Sequence, residues 1–186
     1  MEQQPIVELK GRLLELLKRD ALKKGNFTLS SGKQSSFYLD GRIITMTPEG
    51  AYLIASIILE ALKRDKPDAF GGPTLGADPI VGAVAALSHV QGVPLKTFIV
   101  RKAAKEHGTQ RRIEGPQLHK GQKVVLVDDV ATTGKSLIEA KEVLDAMGVP
   151  VIKAIVVVDR NEGARENLAA VNLALEPIFT VQDLGV

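Results

Sequence analysis

The chain has 186 residues, 45% of them hydrophobic, which is enough for one domain with a sizeable core and too little for two. Its 24 Lys and Arg against 22 Asp and Glu give a formal charge of +2, so the overall balance calls for neither nucleic acid nor an anionic membrane, and any anion binding has to be local. The absence of cysteine excludes disulfides, thiolate nucleophiles and thiolate zinc sites, and aromatic residues at 4% leave little for stacking unpaired bases.

The amino end, MEQQPIVELKGRLL, lacks the basic-then-apolar order of a leader, and no apolar run approaches the roughly 20 residues of a membrane span. The expectation is a cytoplasmic protein with no membrane or nucleic-acid partner. Ile6, Leu9, Leu13, Leu14, Leu16 and Leu17 recur at helical spacing, with Gly25 as the expected stop. Two β-prone runs, FTL and FYLD, flank Ser, Gly, Lys and Gln as a hairpin would. Thr47 and Pro48 then supply an N-cap and a first-turn proline ahead of Ala51, Ile54, Ala55, Ile58 and Leu62.

From there short apolar runs alternate with helical stretches, as in βαβ units. Strands are predicted over 69–72, 95–100, 124–129 and 151–159, with helices over 77–90 and through Leu137, Ala140, Val143, Leu144 and Met147. The Val- and Ile-rich runs suit parallel strands covered on both faces. NLALEPIF is read as an edge strand, and any final helix has to be short. Residues 101–122 form a long, basic connection without apolar periodicity, a kind of loop that is usually functional or disordered.

The third of these strands ends in VVLVDDVATTGKS, so Asp128 and Asp129 fall beyond the carboxyl end of a strand, where open α/β sheets bind ligands. Adjacent carboxylates there are expected to stay hydrated, and they suit a vicinal diol such as the ribose hydroxyls, or a cation. The residues that follow offer backbone N–H groups, hydroxyls and a helix N-terminus for a phosphate. A plain capping turn would account for a single DD or TG pair, though not for the whole run. A nucleotide-binding P-loop would need glycine at position 129, which holds Asp, and no GxGxxG occurs.

VVLVDDVATTGKS resembles the phosphoribosyl-pyrophosphate (PRPP) signature of type I phosphoribosyltransferases. FTLSSGKQSSFYLD and RKAAKEHGTQRRIEG, with the DR at 159 and 160, are similar to motifs of the orotate phosphoribosyltransferase family. The resemblance implies a single α/β domain of the type I phosphoribosyltransferase fold. A mostly parallel central sheet is flanked by helices, with a small hood over about 1–45 and a core over about 46–186. It implies transfer of phosphoribose from PRPP to orotate, giving orotidine 5′-monophosphate and pyrophosphate, in a homodimer.

The same resemblance assigns residues. Arg101, Lys102, Lys105 and His107 would contact the pyrophosphate, with Lys105 and His107 closing over it and Gly108 as hinge. Asp128 and Asp129 would hold the ribose, Asp129 in the closer catalytic role. Val130, Ala131, Thr132, Thr133, Gly134, Lys135 and Ser136 would line the phosphate end, with Lys135 pointing outward. Phe37, Tyr38, Thr132 and Arg160 would receive orotate, with one of the two aromatic residues touching the base.

His89, His107 and His119 show no metal-ligand spacing, so no protein metal cage is expected and Mg²⁺ would arrive on the pyrophosphate. Some family members carry a lysine where Ser30 stands and a Tyr-Lys pair near Leu75 and Gly76, and this chain has neither. Lys33, or backbone amides at Gly71, Gly72 and Gly76, would have to serve instead. Two rivals stay open: an enzyme for a purine or another base, and a PRPP-sensing regulator without turnover.

Overall fold

The computed structural model describes residues 4–28, 34–103 and 112–186. Ser30, Lys33, Lys105, His107 and Gly108 lie outside the described residues. Helix α1 (Ile6–Leu16) buries Leu9, Leu13 and Leu16 and runs on into a π turn over Leu17–Ala21. Strand β1 (Leu22–Thr28) follows at once and pairs antiparallel with β2 (Gln34–Leu39). The predicted stop at Gly25 is therefore corrected. The helical chain ends at Ala21, and Gly25 sits in β1 where the register slips between Lys24 and Phe27.

A one-turn helix α2 (Arg42–Thr45) leads to α3 (Pro48–Leu62), whose first turn is capped as expected, with the Thr47 hydroxyl accepting from the Gly50 N–H at 3.1 Å. The remaining elements are β3 (Ala69–Pro73), α4 (Asp78–Val90), β4 (Lys96–Val100), β5 (Ile113–Glu114), β6 (Val124–Ala131), α5 (Lys135–Ala146), β7 (Val151–Asp159), α6 (Ala164–Ala170), β8 (Leu175–Thr180) and α7 (Val181–Leu184). The 101–122 connection is not wholly irregular, since β5 pairs antiparallel with β4 and Leu118 is buried.

The main sheet has the order β5-β4-β3-β6-β7-β8, with every neighbouring pair parallel except β4 with β5. The chain builds outward from β3 to β4 and later from β6 to β8, so the direction of winding reverses between β3 and β6. A crevice at the carboxyl ends of those two strands is the expected ligand site.

Alternation along β6 divides its side chains between two cores. Val125 and Val127 join α1, α3 and α4, while Val124 and Leu126 join α5 and α6. All four are fully buried. No described helix is long and apolar enough to cross a membrane.

Candidate active site

The same alternation carries past Val127. It turns Asp128 toward α5, where the Ser136 hydroxyl donates to its Oδ2 at 2.8 Å, and Asp129 toward the amino-terminal segment, where Gly41 and Arg42 approach it. Each carboxylate also accepts from the next backbone N–H, Asp128 from Asp129 at 3.0 Å and Asp129 from Val130 at 2.8 Å.

Asp128 is only 7% exposed, which corrects the expectation of a hydrated pair. Burial pushes its acid up to about 7, with the charge of Asp129 adding to the effect and the Ser136 hydrogen bond opposing it. Burial raises Asp129 as well, against the lowering pull of the Val130 N–H.

The pair opens on a cleft of about 300 Å³ lined by Tyr38 to Arg42 from the amino-terminal segment, Thr74 to Gly76 beyond β3, Lys102, Asp128 to Val130 and Ser136. The loop from β3 carries a cis peptide between Thr74 and Leu75, and a side chain at Gly76 would overlap the carboxylates of Asp128 and Asp129. Gly71 and Gly72 do something else. Added carbons there would overlap the carbonyl oxygens of Phe98 and Val127, so both glycines serve strand packing inside β3, and neither lines the cleft.

Behind the acid pair the chain turns through Thr132 and Thr133 into α5. Gly134 has φ +76°, and a Cβ there would press on Leu168 at 3.0 Å, so both conformation and space favour glycine. Asn167 of α6 holds the turn by donating to the Thr133 carbonyl at 2.9 Å. The first N–H groups of α5 have no partner within the helix and form a natural anion seat. Lys135 points outward as expected, 3.7 Å from Glu139 and largely exposed.

The remaining assigned residues divide. Tyr38 and Lys102 line the cleft. Phe37 and Arg160 meet beside it, the guanidinium lying 4.6 Å from the ring centre. Arg101 does not line the cleft; it pairs with Glu114 at 3.2 Å and lines a small adjoining pocket that shares Lys102 and Ser136 with the cleft. His89 and His119 are exposed.

Sequence reasoning missed Asp40, Arg42 and Thr74 in the cleft wall. The one signal for the first two was a glycine directly after a strand, in DGR. Gly41 lets that turn lie against Asp129, where a Cβ would sit 3.0 Å from the Asp129 side chain. Asp40 holds Arg42 through both Nε and Nη2, at 2.9 and 3.0 Å, and that hydrogen-bonded pairing keeps the Asp40 acid below the usual carboxylate range.

A model of the phosphoribosyl transferase domain matches residues 43–183. The orotate phosphoribosyltransferase of Nostoc sp. is 46% identical over 176 residues, covering 95% of this chain and 85% of its own. Among solved structures, Mycobacterium tuberculosis orotate phosphoribosyltransferase with Fe(III) dicitrate superposes with a TM-score of 0.84 at 37% identity. The same enzyme in complex with PRPP gives 0.80 at 33% identity, and each comparison covers 96% of this chain and 99% of the other. Full-length similarity at this level, on a sheet whose crevice holds the acid pair, means that the chain belongs to the phosphoribosyltransferase domain family, in its orotate phosphoribosyltransferase branch.

Proposed function

We infer that the protein transfers the 5-phosphoribosyl group of PRPP to orotate, releasing pyrophosphate and forming orotidine 5′-monophosphate in pyrimidine nucleotide synthesis. The observation that carries this reading is the pair Asp128 and Asp129 facing a cleft at the sheet's switch point, backed by the N-terminus of α5. The ribose hydroxyls donate to the two carboxylates. The 5′-phosphate sits on the turn from Ala131 to Ser136, on backbone N–H groups and the hydroxyls of Thr132 and Thr133.

As the bond from C1 to pyrophosphate lengthens, positive charge grows on the sugar and negative charge on the leaving group. Asp129 stabilises the first, and Lys102 the second, together with Lys105 and His107. Arg101 joins them once its pair with Glu114 opens. Orotate lies by Phe37, Tyr38 and Thr132, with its carboxylate on Arg160.

Among the described residues no three or more His, Cys, Asp or Glu side chains converge on one point. Mg²⁺ carried in on the pyrophosphate would need no such protein cage, and when bound it would supply counter-charge for the leaving oxygens. One domain, with a hood over about 1–45 on a core of 46–186, a homodimeric assembly and a cytoplasmic setting complete this reading.

The test is an assay of orotate absorbance and pyrophosphate release with Mg²⁺, PRPP and orotate. Turnover is expected only with all three present, and Asp129→Asn is expected to lower kcat by about 100-fold or more. Turnover with purines in place of orotate, or PRPP binding without pyrophosphate release, would contradict the reading.

A further inference from the structure

Arg160 is held in an unusual way. Its side chain is 5% exposed, with the Phe37 ring lying over one face of the guanidinium, and its backbone N–H donates to the Ala131 carbonyl at 2.9 Å, tying the end of β7 to the end of β6. Its Nε donates to Glu162 Oε1 at 2.7 Å, yet Nη2, on the same edge of the guanidinium, is buried and has no hydrogen-bond partner.

The contrast lies within the molecule. Arg19 with Asp20 and Arg42 with Asp40 are also joined through Nε, and in both the carboxylate takes Nε and Nη2 together. Those pairs are on the surface and complete. The Arg160 guanidinium is buried while its partner Glu162 is about a third exposed, and their pair stops at one bond, although a second bond is worth more to a buried donor than to a surface one, because an unpaired buried donor is costly.

We propose that Glu162 is a positioning residue for orotate. By occupying Nε alone it closes the side edge of the Arg160 guanidinium, and it fixes the group so that the end edge, Nη1 with Nη2, receives the substrate carboxylate. The proposal rests on the reading that Arg160 binds that carboxylate. Glu162 is two residues on from Arg160, and Gly163 at φ +98° is the cap that precedes α6, so the backbone turn into that helix sets where Glu162 stands beside the arginine. Glu162 does not touch orotate. It sets which edge of the guanidinium is presented, and its charge offsets the buried cation until substrate supplies a second anion. A carboxylate arriving end-on lies in the guanidinium plane, and that plane fixes the tilt of the attached ring toward C1 of the ribose, which an unrestrained arginine would leave free.

Steady-state kinetics of Glu162→Ala, Glu162→Gln and Arg160→Ala test this, with melting temperatures measured alongside. Glu162→Ala is expected to raise KM for orotate about tenfold or more while KM for PRPP stays within about twofold. Glu162→Gln, whose amide oxygen still accepts from Nε, is expected to restore most of the orotate KM. Arg160→Ala is expected to raise it further than either. If Arg160→Ala impairs orotate binding and Glu162→Ala does not, the positioning role is wrong and the Arg160 reading stands. If neither changes the orotate KM, both fail. If Glu162→Ala raises both KM values alike with a lowered melting temperature, or does not fold, and Glu162→Gln shows the same loss of both KM values, Glu162 is structural and the proposal is overturned.

Discussion

Asp128 holds a carboxylate where little water reaches it, beside a second carboxylate, and its acid is pushed up to about 7. In the unfolded chain the same group loses its proton near pH 4. Between those values the folded state retains a proton that the unfolded state gives up, so the contribution of Asp128 to stability is present in acid and falls away as pH rises toward 7 and beyond. Asp128→Asn keeps an acceptor for Ser136 and removes the charge. Its melting temperature is therefore expected to match the parent near pH 4 and to exceed it above pH 8, by about 4–8 °C if ~2 kcal/mol is relieved. Thermal melts of both proteins across that range check this, and a variant less stable than the parent at pH 8 would contradict it. The same chemistry makes sugar hydroxyls, which donate, favour the ionised pair, so PRPP binding near neutrality should release a proton. None of this burial was legible in the sequence. The adjacency of two acids was visible, while the depth of one of them depends on how closely Gly76 and Ser136 approach, which is a tertiary matter.

At the scale of elements, strands β6 and β7 and helices α3 and α4 were plain from periodicity because each has a long run with one buried face or two. Helices α2 and α6 and strand β5 were not foreseen. Each spans seven residues or fewer and exists because a neighbour completes it: β5 lies on the edge of β4, and Leu168 of α6 packs under Gly134. The glycines of the first βα unit separate into two jobs, and substitution distinguishes them. Gly72→Ala places a carbon on the Val127 carbonyl inside the sheet and is expected to cost more than about 3 kcal/mol, read as loss of soluble protein or a large fall in melting temperature. Gly76→Ala, in the loop over the acid pair, is expected to spare the fold and lower kcat/KM for PRPP by about tenfold or more. Thr47→Ala serves as the control: removing the α3 cap is expected to cost about 1 kcal/mol in stability and to leave kinetics unchanged, since α3 does not reach the cleft.

Across the whole molecule, the chain before α3 supplies one wall of the site and the main sheet supplies the other. Phe37 lies on Arg160, and Gly41 brings Asp40 and Arg42 against Asp129, so the cleft exists only when these parts are joined. The signature in β6 pointed to this cleft from sequence because it is contiguous, and Asp128, Asp129 and Ser136 do line it. The wall that faces it is assembled from residues far away in the chain, and no local pattern announces that Tyr38 and Asp129 share a cleft. The central claim is that the paired acids recognise the ribose hydroxyls while the start of α5 holds the phosphate. Calorimetric titration of ribose 5-phosphate against 2-deoxyribose 5-phosphate measures this directly, because the two ligands share the phosphate and differ by one hydroxyl. The protein should bind the ribose compound about 10- to 100-fold more tightly, the worth of one charge-assisted hydrogen bond, and the preference should vanish when Asp128 and Asp129 are both changed to Asn. Equal affinity for the two sugars, or a preference that survives the double substitution, would contradict it.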